Sequence, residues 1–510
     1  MSGKVFKILQ RNRVFIALSA ILFVGGYFRF VGLNIQSAWS DELASWYFSR
    51  PDSILQVFDR VRQDIHPPGY FILLHFTQKF LGDSESALRL PSAIAGWLSI
   101  LAIYCLGRRL YSEREGLMAA LFVAVLWAPI YYSQEARSYS LLLLFSILTT
   151  NFWWGLLQSL RVRRTIPVSE AILYVVCAIV CSYLHYFGLL LVALQGAALA
   201  GLAYRSFGKI VLLYLPVGLA YVPWLPGMFY QFTYSKQLGG WIPKPSPAAT
   251  TDYLNFLFDR SETMVVLVWT LFAFLLLRSW DGFKERRKKG FELSAGLMLV
   301  GWFIIPFLVT YIISQSPVQL LTPKNLIISL PAAYLLLARA ITRVFPGKTP
   351  ETGTVFQSAI AVGLATIFIT HLLYPMHYYT APHKEQIRAA VATIAAQTQE
   401  RPSTLLIYCD VDNRLDYYFQ RNGLGEKSRV NVCEAGEFHK ITYRIHKEDY
   451  KYVLYFKSHK QPGPGLMDLL STNFEQVSVG KFHGPKLTLF QVEKNPPIDS
   501  ARGPYGRSSP

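Results

Sequence analysis

Apolar runs long enough to cross a bilayer recur through the first three quarters of the chain, and no other feature limits its fold as tightly. About 20 apolar residues cross roughly 30 Å of hydrocarbon as a helix, because inside lipid each backbone N–H and C=O must be satisfied within the segment. The runs are Val14 to Val31, Arg89 to Leu106, Gly116 to Tyr132, Leu141 to Leu157, Ala171 to Leu184, one more ending before Arg205, Ile210 to Phe229, Met264 to Leu277, Leu297 to Ile313, Leu326 to Ala340, and Val355 to Leu373. They predict a mainly α, polytopic transmembrane helical bundle of about eleven spans. A composition of 52% hydrophobic and 16% charged residues over 510 positions excludes a wholly soluble chain.

Charge gives the orientation. The formal net charge is +18, and much of the basic surplus sits in short clusters on alternate loops: Lys4 to Arg13, Arg108 to Arg114, Arg161 to Arg164, Arg205 to Lys209, Lys284 to Lys289, and Arg343 to Lys348. Cytoplasmic loops carry such clusters, so the N-terminus is expected inside and the C-terminus outside, with no nucleic-acid partner implied. The first run continues through Arg29 and Phe30 without a small-residue cleavage pattern, which favours an anchored helix over a cleaved signal.

After Tyr378 the pattern becomes soluble α/β. Strands are expected at Thr404 to Cys409, Arg429 to Cys433, Tyr450 to Phe456, Phe474 to Phe482 and Leu487 to Val492, with helices at Asp412 to Gln420 and Gly465 to Leu470. The expected organisation is a transmembrane domain over 1–375, with its first outer loop at 34–85, a small extracytoplasmic α/β domain over 376–494, and a disordered tail over 495–510. No glycine-rich nucleotide loop marks a cofactor site. Cys105, Cys177 and Cys181 read as small buried hydrophobes, whereas Cys409 and Cys433 either pair in an oxidising compartment or remain thiols.

The outer loops gather the chemistry. Asp41 and Glu42 follow directly on the first span, either as first-turn acids that complement a short helix capped by Ser40, or as a carboxylate pair at headgroup depth. His66-Pro67-Pro68-Gly69-Tyr70 opens an apolar stretch to Phe80 that is too short to cross and reads as an interfacial or re-entrant helix. Other outer segments supply Arg89, the turn Glu135-Ala136-Arg137-Ser138-Tyr139, His185-Tyr186 and Lys324. Each has a plainer reading: His66 as a helix cap, Glu135 and Arg137 as an exposed turn pair, His185 as part of an interfacial belt. No cluster has metal-ligand spacing, though an acid beside a phosphate leaves room for a divalent cation.

Acids and cations in this combination suit sugar transfer from a polyprenyl phosphate. The phosphate leaving group is a weak base and needs cations rather than an acid, a task for Arg137, Lys324, His66 and Arg89. The acceptor must lose a proton, and Asp41 is the candidate base, with Glu42 orienting hydroxyls. Glu135, Tyr139, His185 and Tyr70 are the candidate substrate-binding residues.

Over Pro67 to about Leu160 the chain resembles the GT-C class of membrane glycosyltransferases, which includes dolichyl-phosphate-mannose protein mannosyltransferases and bacterial lipid A aminoarabinose transferases. The resemblance is carried by Asp41-Glu42 after the first span, His66-Pro67-Pro68-Gly69-Tyr70, Arg89-Leu90-Pro91-Ser92-Ala93, Gly107-Arg108-Arg109-Leu110, and Tyr132 to Tyr139. In that class the first-loop acid is a catalytic base or acceptor ligand, which falls on Asp41. The residue before the double proline, lysine in the aminoarabinose branch, approaches the donor phosphate; it is His66 here. Pro323-Lys324-Asn325-Leu326 resembles a segment that usually reads Pro-Arg-Tyr-Leu.

The resemblance implies an inverting glycosyltransferase in the plasma (inner) membrane, with its active site on the extracytoplasmic side. Its partners would be a polyprenyl-phosphate-linked sugar donor, a lipid, glycan or protein acceptor, and membrane lipid. A glycolipid transporter or flippase, or a scaffold for envelope-glycan assembly, would also place charged groups at the outer face. The chain shows no inverted repeat and keeps its acids in loops, which favours the enzyme.

Overall fold

The computed structural model describes residues 3–161, 165–234, 242–258, 261–281, 290–316, 319–346, 349–410, 412–433, 438–458 and 465–492. The basic loop 284–289, Arg163 and Arg164, Gly239 to Trp241, Lys348 and the tail 495–510 lie outside the described residues. The chain divides into two compact units, Met1–Leu33 with Phe48–Tyr379, and Asn34–Tyr47 with Thr380–Pro510.

The first unit is helical. In chain order it holds α1 (Gly3–Phe30), the end of α2 (Ser40–Ser49), α3 (Ile54–Arg60), α4 (Gly69–Leu81), α5 (Glu85–Leu110), α6 (Glu113–Val125), α7 (Trp127–Ser133) and α8 (Tyr139–Arg161). It continues with α9 (Val168–Leu184), α10 (Tyr186–Leu202), α11 (Phe207–Tyr221), α12 (Leu225–Tyr234), α13 (Ala249–Leu257), α14 (Glu262–Asp281), α15 (Gly290–Ile313), α16 (Leu330–Val344) and α17 (Pro350–Leu373).

All the apolar runs are helical, and the chain is a multi-pass membrane protein. Among the described residues seven helices are long and apolar enough to cross, or eight if the bent pair α6 and α7 is one span. The other runs form the shorter apolar helices Val168–Leu184, Tyr186–Leu202 and Val265–Phe274. The expected eleven are therefore eleven apolar helical segments, of which seven or eight have full spanning length. The 13-residue α4 is the short helix expected from Pro68.

The α6–α7 bend is 58° and has a local cause. Pro129 cannot donate to the carbonyl four residues back, so the helix opens at Leu126, whose backbone is extended (φ −73°, ψ 144°). Arg29, fully buried on α1, caps the free end: its Nη2 donates to the Val123 carbonyl at 2.6 Å and its Nη1 to that of Ala124 at 3.0 Å. Gln134, just past α7, returns the favour to α1 by donating to the carbonyls of Phe28 (3.1 Å) and Val31 (2.7 Å). Each helix end is satisfied by a side chain of the other, which fixes where the Glu135–Arg137 turn begins.

The second unit is a five-stranded sheet with helices. Its elements are α18 (Ile387–Glu400), β1 (Thr404–Tyr408), α19 (Asp416–Arg421), β2 (Arg429–Asn431), α20 (Phe438–Lys447), β3 (Tyr452–Lys457), α21 (Leu466–Asn473), β4 (Glu475–Lys481) and β5 (Lys486–Gln491). The strand order is β2-β1-β3-β5-β4, with β1 parallel to β2 and β3, and β5 antiparallel to β3 and β4. Leu405, Ile407, Val453 and Phe490 from the strands pack with Ile441, Ile445, Leu466 and Leu470 from the helices.

The five strands fall on the stretches that read as strands. The helix expected from Asp412 begins instead at Asp416, because Asp412 and Asn413 adopt left-handed φ of 64° and 52°. α18 and α20 were not expected; in α20 the β-branched Ile441 and Ile445 read equally as alternate strand positions, but both are buried four residues apart on one helical face.

Asn34–Tyr47 is sewn into this unit by polar contacts. Tyr418 and Glu385 accept from the backbone N–H groups of Ala38 (2.7 Å) and Ser40 (3.2 Å), Arg388 donates to the carbonyl of Asn34 (2.8 Å), and Gln36 donates to that of Ala381 (3.0 Å). Ser40 is the first residue of α2 rather than its cap, since Leu43 N–H already bonds the Trp39 carbonyl.

Candidate functional site

Four chain segments of the first unit bring their polar ends together. His66 stands in the loop before α4, Arg137 and Tyr139 at the start of α8, His185 at the junction of α9 and α10, and Lys324 just before α16. Two close approaches set the spacing. A Cβ at Gly69 would lie 2.6 Å from the Tyr183 carbonyl oxygen, so glycine lets α4 start against the end of α9. A Cβ at Gly188 would lie 2.1 Å from the Cys181 carbonyl oxygen, so the α9–α10 turn closes tightly around His185.

Gln231 on α12 holds the His66 loop by its backbone, donating to the carbonyls of Val61 (2.8 Å) and His66 (3.1 Å). His66 is 7% exposed, and its Nδ1 lies 3.0 Å from Asp64 Oδ2. The carboxylate can only accept, so Nδ1 carries the proton and Nε2 keeps a lone pair. Arg137 Nη2 lies 3.3 Å from Nδ1 and 3.4 Å from Nε2, and with Nδ1 protonated the lone pair it can donate to is that of Nε2. Asp64, His66 and Arg137 thus form a chain in which the imidazole, anchored by a carboxylate, orients the guanidinium. Burial, and then the Arg137 charge, push the His66 pKa down against the opposing pull of Asp64, so the ring is neutral near pH 7.

The remaining members surround this chain. The His185 ring lies 5.0 Å from that of His66 and 5.9 Å from that of Tyr139, and Lys324 Nζ is 5.8 Å from the Tyr139 ring centre. Burial holds the His185 pKa well below its usual value, reinforced by His66, Arg137 and Lys324. The permanent cations of the cluster are therefore Arg137 and Lys324, with two neutral imidazoles beside them.

The other expected residues make contacts of their own around this cluster. Tyr70, 2% exposed, bonds Ser92 at 3.3 Å, and Ser92 donates to the Arg137 carbonyl at 3.0 Å, so Tyr70 supports the Arg137 backbone from below. Arg89 donates to the Leu33 carbonyl at 2.6 Å beyond the end of α1. Glu135 is buried, and it and Arg89 both act on the Tyr378 hydroxyl, whose pKa burial raises well above the ordinary phenol value.

Asp41 and Glu42 belong to the second unit. Asp41 is partly exposed, whereas Glu42 is 1% exposed and pairs at 3.2 Å with Lys384, itself buried. Sequence reasoning missed Lys384, Asp64, Gln231, Arg29 and Gln134. Asp64 could have been found from its place two residues before His66, and Arg29 from being a charge near hydrocarbon depth. Among the described residues no group of three or more His, Cys, Asp or Glu could hold a metal ion.

Comparison with known proteins fits this arrangement. A family model described as dolichyl-phosphate-mannose-protein mannosyltransferase matches residues 65–230, the stretch that supplies His66, Arg137 and His185. No curated protein matches the chain in sequence. Among solved structures, ArnT from Cupriavidus metallidurans bound to undecaprenyl phosphate is similar at a TM-score of 0.55 and 15% identity, over 94% of this chain and 98% of that one. The Archaeoglobus fulgidus oligosaccharyltransferase is similar at 0.51 and 12% identity, over 86% and 69%. Its complex AglB with an inhibitory peptide and a dolichol-phosphate gives 0.50 and 12%, over 96% and 75%.

The fold is that of GT-C class membrane glycosyltransferases. Within the class, the chain resembles the superfamily of protein mannosyltransferases and ArnT.

Proposed function

We propose that this protein is an inverting glycosyltransferase that moves a sugar from a polyprenyl-phosphate donor to a lipid, glycan or protein acceptor at the extracytoplasmic face of the plasma (inner) membrane. The observation that carries the reading is the cluster of buried Arg137 and half-buried Lys324 with two buried, neutral imidazoles. Breaking the sugar–phosphate bond leaves a second negative charge on the phosphate, and preorganised cations in a water-poor site stabilise that charge most in the transition state. Solved relatives in fold that hold undecaprenyl phosphate or dolichol-phosphate support the same donor class.

In this reading Arg137 and Lys324 bind the donor phosphate, and Tyr139 and His185 line the site. His66 positions Arg137 rather than meeting the phosphate as a cation. Tyr70, Arg89 and Glu135 hold the backbone and charges around the turn. Asp41 takes the acceptor proton as the sugar's anomeric carbon is attacked from the side opposite the phosphate. Glu42, bound to Lys384, fixes the segment that carries Asp41. The Cys409–Cys433 disulfide supports an oxidising compartment for the second unit, and so a site outside the cytoplasm.

The test is transfer by the purified protein in lipid nanodiscs. Sugar should move from an undecaprenyl-phosphate-linked donor and not from a nucleotide sugar, and Arg137→Ala should slow transfer by about 10²–10³-fold. Transfer from nucleotide sugar without any lipid carrier would overturn the donor assignment.

A further inference from the structure

His185 has a hydrogen-bonding state fixed by the backbone, and that state leaves one donor to be used. The residue is extended (φ −165°, ψ 147°) between α9 and α10, and its Nδ1 accepts the Phe187 N–H at 3.1 Å as the cap of α10. A nitrogen that accepts cannot carry the proton, so the neutral ring is protonated on Nε2. Nε2 is buried, on a side chain 4% exposed, and has no hydrogen-bond partner among the described residues. A buried N–H in that condition is unfavourable until an acceptor meets it.

The Tyr139 hydroxyl beside the ring could accept, but no hydrogen bond joins it to Nε2, and the other neighbours offer no acceptor. The guanidinium of Arg137 and the ammonium of Lys324 only donate, and the Nε2 lone pair of His66 is taken by Arg137. What fits a neutral N–H among cations is an anionic oxygen brought by a ligand.

We infer that His185 donates from Nε2 to a phosphate oxygen of the polyprenyl-phosphate ligand. The inference rests on the proposed function and deepens it. His185 is a third phosphate ligand, uncharged, whose direction is set by helix capping rather than by an ion pair. A cationic ligand can follow a misplaced phosphate, but a capped imidazole cannot, so His185 sets where the phosphate sits.

Two substitutions separate the two nitrogens. His185→Asn keeps an acceptor near Nδ1 and remains a good cap, but lacks the reach of Nε2. His185→Gln places an N–H near Nε2 and weakens the cap. Binding of undecaprenyl phosphate to the full chain in detergent, with undecaprenol and inorganic phosphate as separate titrants, reads the difference.

His185→Asn should keep the wild-type Tm and bind undecaprenyl phosphate about 10–100-fold more weakly, in line with a hydrogen bond to a charged group. Its affinity for undecaprenol should not change. His185→Gln should stay within about 3-fold of wild type in phosphate binding while losing a few degrees of Tm. Inorganic phosphate that alone reproduces the discrimination would assign the site to free phosphate and overturn the lipid ligand. Wild-type protein that fails to bind undecaprenyl phosphate overturns the inference together with the reading beneath it. Wild-type binding with an undiminished His185→Asn variant overturns the inference alone.

Discussion

One cluster in each unit shows two opposite ways of holding charge. In the first, Arg137 and Lys324 stand with two neutral imidazoles, and Asp64 bonds one of those rings, His66. In the second, Glu42 and Lys384 are almost wholly buried and face each other at 3.2 Å. A pair that cancels itself needs no ligand, whereas a cluster of donors among cations is suited to an anion. Burial alone therefore does not mark a functional charge; the balance of donors and acceptors around it does.

Adjacent carboxylates give the strongest way to break this contrast, because Asp41 is partly exposed whereas Glu42 is buried against Lys384. Asp41→Asn should lower transfer by about 10²–10⁴-fold, the usual worth of a general base, with Tm unchanged. Glu42→Gln should remove the carboxylate that faces buried Lys384 at 3.2 Å and destabilise the second unit by about 3–5 kcal/mol. Replacing both partners, Glu42→Leu with Lys384→Met, should recover most of that loss, because neither charge of the pair then remains. Calorimetry and a transfer assay on the same four proteins measure it; equal losses of activity without any loss of Tm at either site would merge the two roles.

This division was only half legible beforehand. The apolar helices were, since a segment in lipid must satisfy its own backbone and shows this as an uninterrupted run. The five strands were too. The outer-loop motifs supplied Asp41, His66, Arg137, His185 and Lys324 as candidates, and the fold brings the last four into one cluster. The partners were not legible. Lys384 meets Glu42 and Gln134 meets Phe28 across long stretches of chain, and no local pattern records such pairings. Nor were the proton positions, which depend on Asp64 and the Phe187 N–H rather than on the histidines themselves. The outer-loop positions supplied the candidates; the contacts separate their surroundings.

The disulfide sharpens the comparison at a smaller scale. Cys409 and Cys433 close a loop with a sequence separation of 24, just beyond β1 and β2, for which chain entropy gives about 3 kcal/mol. Cys177 and Cys181 are buried thiols of α9 in the first unit. Alkylation of the denatured, unreduced protein should modify three cysteines and leave this pair, with all five modified after reduction. Cys409→Ser should destabilise the second unit without lowering undecaprenyl-phosphate binding. If all five react before reduction, the second unit faces a reducing compartment and the proposed side of the membrane is wrong.

The smallest effect is the one in which the units should differ in sign. His66 and His185 have folded pKa values below the free imidazole value of about 6.5, so below that pH the unfolded chain binds more protons than the folded one. Their contribution is fully present above pH ~6.5 and is lost as pH falls through the folded values. Asp410, in the second unit, is the reverse: burial raises its carboxyl from 3.8 to about 7, against a hydrogen bond from the Leu415 N–H. Between those values the folded state holds the extra proton, so its contribution is present in acid and is lost as pH rises through about 7. Hydrogen exchange on the full chain resolves the units. From pH 7 to pH 5 the helices around His66 and His185 should lose protection while the sheet beside Asp410 gains it. Asp410→Asn should flatten the second trend and leave the first. Parallel slopes in both units would mean that the imidazoles take up protons in the folded state, and with that the neutral donor assigned to His185 would fall.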